Sequence, residues 1–229
     1  PHKFPVKSAP TLLICLYDFG DTPVNFVNNW LDLVKTHPEV VVAIPEAAGG
    51  TPGNPWGPGT ADLVTAIIDD AVARDHVNPK HVILVGAGQG ADAGGAIVGE
   101  YPNRFVGFAD IGPDFPAALF TPALKDSSAN LAIYYASTNR SHAITLPSAT
   151  SKQLADFGFK PPALARVTDP INLLVEMCDI NGAITQDQFK FRVTRLMRFF
   201  DDVLAKNDMN EATVSAAQNA GSPDAPSLN

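Results

Sequence analysis

A chain of 229 residues, 45% hydrophobic and 17% charged, is long enough for one α/β domain with a buried sheet and short for two. Sixteen basic residues against 24 acidic ones leave a net charge of −8. That argues against nucleic acid or an anionic membrane as partner, since both need a basic face. No stretch approaches the ~18 apolar residues that span a bilayer, and two cysteines, Cys15 and Cys178, do not make a disulfide framework.

Short apolar runs alternate along the chain with longer helical patterns. A strand is predicted over residues 11–17 (TLLICLY), then a helix over 24–36, a strand over 40–44 and a helix over 61–75. That helix carries Leu63, Ile67 and Ala71 on one stripe, with Ala66 and Asp70 opposite. Next come a strand over 81–85, a helix over 91–101, and strands over 105–111 and 131–136. A helix over 148–157 follows, then a sixth strand in either 164–167 or 172–177. The last helix, 186–204, sets Phe189, Val193, Leu196, Phe199 and Phe200 among three arginines. The strands are almost continuously apolar rather than alternating, as strands covered on both faces are. The expectation is a mostly parallel central sheet with helices on both faces, forming a single domain over residues 1–206. Residues 207–229, rich in Ala, Asn, Ser, Asp and Pro, read as a polar and mobile tail. The chain begins at Pro1 without a methionine or an apolar leader. We therefore expect a processed product, exported after loss of a signal segment, or a piece of a larger chain.

In such sheets chemistry sits on the loops leaving the carboxyl ends of the strands. The most informative of these is Val85-Gly-Ala-Gly-Gln-Gly90, a strand running through Gly86, Gly88 and Gly90 straight into a helix. A sharp strand-to-helix turn needs small flanking residues, because the backbone crowds around a strained central residue. With the preceding Val77-Asn-Pro-Lys-His-Val-Ile-Leu-Val and the trailing Tyr101-Pro-Asn-Arg-Phe, this segment resembles the α/β-hydrolase superfamily. The nearest in character are its small esterases, the phospholipase/carboxylesterase and polyhydroxyalkanoate-depolymerase-like group. The order of elements agrees over roughly residues 10–205, and the close match over 77–111.

The resemblance implies a serine at the centre of the turn, where this chain has Gly88. It implies an acid after the strand at 131–136, where Asn139 stands, and a histidine before the last helix. There the chain reads Cys178-Asp-Ile-Asn-Gly-Ala-Ile-Thr185, and no histidine follows His142. Glycine has no atom to attack a carbonyl, and asparagine cannot stabilise an imidazolium. The family's His-Gly pair after the first strand, part of its oxyanion hole, is Tyr17-Asp18 here. Asp18 would oppose a developing oxyanion. The implied domain is catalytically inactive, with vestigial positions Gly88, Asn139 and Gly182. A ligand in the vestigial pocket would meet Asp18, Phe19, Trp56, Gln89 and Phe115, and a protein partner is the other binding role. No cofactor and no metal are expected.

Other readings weigh less. The dinucleotide pattern G-x-G-x-x-G would need glycine where Ala91 stands, on the first strand rather than the third. His142 could act as a displaced base in an active, rearranged hydrolase. Asp18, Glu46, Asp110, Asp114 and Asp179 gather near strand exits and could hold a cation. The loop Gly49–Gly59, carrying Trp56, is either a binding lip or a cap with its tryptophan tucked into the fold.

Overall fold

The computed structural model describes residues 9–47, 49–51, 54–112, 114–137, 148–159, 173–177, 193–205 and 208. β1 (Thr11–Leu16) is buried along its whole length, as its apolar run requires. After it, Thr22 caps α1 (Pro23–Phe26), its side chain accepting the Asn25 N–H, and Pro23 supplies a preset φ at the first turn. A 3-10 turn at Val27–Asn29 leads into α2 (Leu31–Thr36). The sequence predicts one helix here; Asn28 and Asn29, poor helix formers, mark where it tightens.

β2 (Val40–Ala43) follows, then a short antiparallel hairpin, β3 (Gly49–Thr51) with β4 (Asn54–Trp56), inside the glycine-proline loop. α3 (Thr60–Asp75) buries Val64, Ile68 and Ala71, whereas the predicted stripe was centred one residue earlier. Its apolar surface is wide enough that Ile67 still packs against the core. α3 ends on His76, whose φ of +55° is the left-handed conformation usually given to glycine at a helix end.

β5 (Val82–Ala87), α4 (Gln89–Glu100) and β6 (Gly107–Gly112) follow. α5 (Pro122–Ser127), β7 (Ala132–Ser137) and α6 (Ser148–Asp156) come next. β8 (Leu173–Met177) is the sixth strand of the sheet, which selects the second of the two segments the sequence offered. The first, 164–167, lies outside the described residues. α7 (residues 193–205) carries the predicted apolar face, with Val193, Leu196, Phe199 and Phe200 buried.

The six strands run in the order β2-β1-β5-β6-β7-β8, and every neighbouring pair is parallel. Helices cover both faces. Phe108 of β6 points at α4, where a β-carbon on Gly94 would touch its ring, while the adjacent Gly107 lies against Phe200 of α7. Successive strand residues face opposite ways, so α4 and α7 flank the sheet. Gly107 leaves room for the Phe200 ring, which a β-carbon there would overlap. Among the described residues no helix is long and apolar enough to cross a membrane.

Candidate active site at the β5–α4 turn

β5 is the third strand in from the β2 edge, and Gly88 sits at its carboxyl end with α4 starting at the next residue. Its backbone, at φ +52° and ψ −119°, is open to glycine and strained for a residue with a β-carbon. The turn is held by Gly88 N–H to Ile111 O (3.0 Å) and Ala91 N–H to Gly88 O (2.9 Å). At the flanks the need for glycine is steric. A β-carbon on Gly86 would overlap the backbone of Ala91, and one on Gly90 the carbonyl of Leu16.

At Gly88 the crowding has a different source. A β-carbon there would overlap the carboxyl group of Asp18, on the loop after β1. Asp18 Oδ1 accepts two backbone N–H groups, from Phe19 at 2.8 Å and from Gln89 at 2.9 Å. The loop is closed behind it by Asp21 N–H to Asp18 O at 3.2 Å and by Gly20 at φ +84°. One N–H from the residue after the turn's centre and one from the loop after an inner strand is the donor pair that stabilises an acyl oxyanion. Here an internal carboxylate holds both donors. The sequence expects Asp18 to oppose an oxyanion at this turn; in the structure its carboxyl group lies against Gly88 and holds both N–H groups.

A second group of acids lies behind the turn. Asp110 on β6 is fully buried, and neither carboxyl oxygen has a hydrogen-bond partner. Burial, and then the charges of Asp92 and Asp114, hold its pKa well above the carboxylate range. Asp92, in the first turn of α4, is raised by burial and by Asp114 and Asp18. Sequence reasoning passed over Asp92, although its place four residues after Gly88 puts it on the same side of the helix. Among the described residues no three His, Cys, Asp or Glu side chains are placed to hold a metal ion. The grouping of Asp18, Glu46, Asp110 and Asp114 therefore does not close into a cation site there, and Asp179 lies outside the described residues. Glu46 instead borders a separate cavity of about 540 Å³, with Tyr17, Asp21 and Pro55.

The five residues expected to meet a ligand divide. Asp18, Phe19 and Gln89 converge on the turn, with Phe19 60% exposed and the Gln89 side-chain oxygen buried without a partner. Trp56 is tucked in: its indole N–H donates to Tyr17 O at 2.8 Å and its ring lies 4.9 Å from that of Tyr17. Tyr17 Oη in turn accepts the Ala47 N–H. These contacts pin the glycine-proline loop to the end of β1, which gives Trp56 the cap role rather than the lip role. Phe115, half-buried, stacks edge-on against Tyr135 and lies beside Phe120. Asn139, His142, Cys178 and Gly182 lie outside the described residues. Cys15 is a buried thiol on β1, its pKa raised by burial.

The sequence matches no family model and no curated protein. Solved structures share the fold. An uncharacterized protein from Bacillus cereus ATCC 10987 aligns with a TM-score of 0.58 and 12% identity, over 88% of this chain. This chain spans only 63% of that protein's length. SOBER1 from Arabidopsis thaliana aligns at 0.55 and 18%, over 83% of this chain and 99% of its own. The Bacillus cereus carboxylesterase aligns at 0.55 and 14%, over 86% and 91%. The fold is that of the α/β-hydrolase-like esterases, the resemblance first carried by residues 77–111.

Proposed function

We propose that this chain is a non-catalytic α/β-hydrolase-like domain, retained for binding a small molecule or a protein. The domain spans residues 1–206, with 207–229 as a polar tail. The observation that carries the reading is the Asp18 carboxylate, which holds the Phe19 and Gln89 N–H groups beside a turn whose central residue has no side chain. An ester carbonyl entering here would meet neither a nucleophile on Gly88 nor a free donor pair, and a negative charge would oppose the one it must develop. Asn139 in the acid's place and the lack of any histidine after His142 support the same reading from the sequence.

The test is turnover of short-chain activated esters against an albumin control, with fluorophosphonate labelling beside it. The expected result is no turnover above the control and no label.

A second reading, an esterase-like hydrolase with a rearranged site, draws on the sharp positive-φ turn at Gly88, which keeps the shape a nucleophile needs. It requires His142 or a carboxylate as base. Robust turnover by the unmodified protein, lost in Asp18→Ala, would favour it over ours.

A further inference from the structure

The loops that leave β1 and β2 enclose a cavity of about 540 Å³ at the carboxyl end of the sheet, the end at which parallel sheets receive ligands. It is separate from the Gly88 turn: neither Asp18, Phe19, Gly88 nor Gln89 lines it.

Its charge is one-sided. Asp21 and Glu46 line it, and none of its described lining residues is basic. The two stretches that supply the walls, residues 8–34 and 38–73, contain no lysine, arginine or histidine. Four of their acids have basic partners from elsewhere: Asp32 with Lys35, Glu39 with His37, Asp69 with Arg104 and Asp70 with Arg74. Asp21 and Glu46 have none among the described residues, and they share this cavity. Asp21 Oδ1 accepts the Thr22 N–H at 2.8 Å, which orients the carboxylate and leaves Oδ2 for a ligand. Next to Glu46, the Ala47 N–H donates to Tyr17 Oη at 2.9 Å, so the backbone that carries the second carboxylate is held as well.

The other walls are apolar: Pro23, Val24, Ile44 and Pro55. Val24 is 76% exposed, more than any other large hydrophobic side chain among the described residues, and a hydrocarbon lodged here would cover it.

These features distinguish one cation from another. Calcium or magnesium needs about six or more oxygen ligands. Among the described residues no three His, Cys, Asp or Glu side chains are placed to hold a metal ion. A quaternary ammonium is recognised by open aromatic faces, whereas the Tyr17 ring is packed against Trp56 and Phe26. A primary ammonium donates hydrogen bonds, and two carboxylates are the charged acceptors it needs.

We infer that this cavity binds a primary alkylammonium, its head held by Asp21 and Glu46 and its chain laid against Pro23, Val24 and Pro55. This deepens the reading of the domain as a binding module, and it fails separately from it: ester turnover bears on Gly88, and the cation titration only on the cavity.

The test is isothermal titration calorimetry of the full chain with n-hexylammonium chloride at low ionic strength, beside 1-hexanol and sodium hexanoate. We expect saturable one-to-one binding of the ammonium and none of the alcohol or the carboxylate. Affinity should rise about two- to fourfold per methylene from butylammonium to hexylammonium, as the apolar wall is covered. Glu46→Gln and Asp21→Asn should each weaken binding about 3–10-fold. Asparagine keeps the oxygen that accepts the Thr22 N–H, so the loop should hold its shape, with unchanged circular dichroism. Asp202→Asn, which removes the same charge on α7, should leave binding as it was. No saturation by hexylammonium up to about 10 mM overturns the inference. So does binding that survives Asp21→Asn with Glu46→Gln, an equal loss in Asp202→Asn, or equal affinity for hexyltrimethylammonium.

Discussion

Adding one methyl group at Gly88 tests the geometry on which the functional reading stands. Gly88→Ala meets two costs. The first is backbone: at φ +52° and ψ −119° a residue with a β-carbon carries about 1–3 kcal/mol of strain. The second is the overlap with the Asp18 carboxyl group, which must swing away and release the Phe19 and Gln89 N–H groups. Each bond to a charged acceptor is worth about 1.5–3 kcal/mol when protected, but Asp18 is exposed and water takes over part of both, leaving about 1–2 kcal/mol for the pair. The sum is about 2–5 kcal/mol. In an Asp18→Ala background the second cost has already been incurred, so Gly88→Ala should cost only about 1–3 kcal/mol there. The assay is a double-mutant cycle by urea unfolding, with the m-value monitored to confirm an unchanged native state. A coupling of about 1–2 kcal/mol is expected. Additivity within about 0.5 kcal/mol would mean that the two groups do not compete for the same space, and the picture of an occupied donor pair would fail.

Asp110 should make the protein less stable as pH rises. Its folded pKa lies above its unfolded value, so its contribution is full below the ordinary carboxylate range and is lost as pH climbs through the raised value. Asp110→Val should flatten that slope and raise the unfolding free energy near neutral pH by about 1–3 kcal/mol, the cost of an unpartnered buried polar group; a steeper slope in the variant refutes this. His76→Gly should stabilise by about 0.5–1 kcal/mol, because His76 sits at φ +55° at the end of α3. An unchanged or lowered melting temperature would count against it. Tyr17→Phe, which removes the acceptor for the Ala47 N–H, should cost about 1 kcal/mol. It should also speed proteolysis within the 46–59 loop, and intact protection there would show that Trp56 alone pins it.

The sheet was legible because burial on both faces leaves a plain mark: nearly unbroken apolar runs such as Thr11–Leu16 and Val82–Ala87. The 24–36 segment was half legible. Its helical period is real, but two asparagines in succession do not announce a 3-10 turn, because propensity is a weak prior against the demand to bury Phe26 and Trp30. The β3–β4 hairpin carries little strand signal, since four of its six strand residues are glycine, proline or asparagine; its order comes from Trp56 and Tyr17, whose contact spans 39 positions. Trp56 itself shows the limit of composition, since an aromatic residue in a glycine-rich loop looks the same whether it faces a ligand or anchors the loop. Asp92 was hidden, and Asp110 was placed near the strand exits without its burial being legible, for a related reason. Their meaning depends on each other across β6 and α4, and no local pattern joins them.

The candidate site changes how the sequence differences should be counted. Gly88, Asp18, Asn139 and the missing histidine look like separate departures from a hydrolase, each adding weight. The geometry ties the first two together. A serine at 88 needs a β-carbon where the Asp18 carboxyl group lies, so Asp18 in its present place requires glycine at the turn. Conversely, once the turn holds no side chain, the Phe19 and Gln89 N–H groups stand beside empty space. A carboxylate one residue before Phe19 satisfies both without help from solvent or substrate. The pair is therefore physically coupled: glycine at 88 makes room for the Asp18 carboxyl group, and that group holds the two N–H donors beside the turn. That is why Gly88→Ser alone should yield a destabilised protein rather than a nascent esterase. Any attempt to restore activity must begin by replacing Asp18, with the acid and the base supplied only afterwards. The expected order is measurable. Asp18→Gly added to Gly88→Ser should cost little further stability, because the Asp18 hydrogen bonds are already lost in Gly88→Ser, while ester turnover stays at the level of the albumin control. Turnover appearing in that double variant would mean a base already stands within reach of residue 88, and the non-catalytic reading would have to be given up.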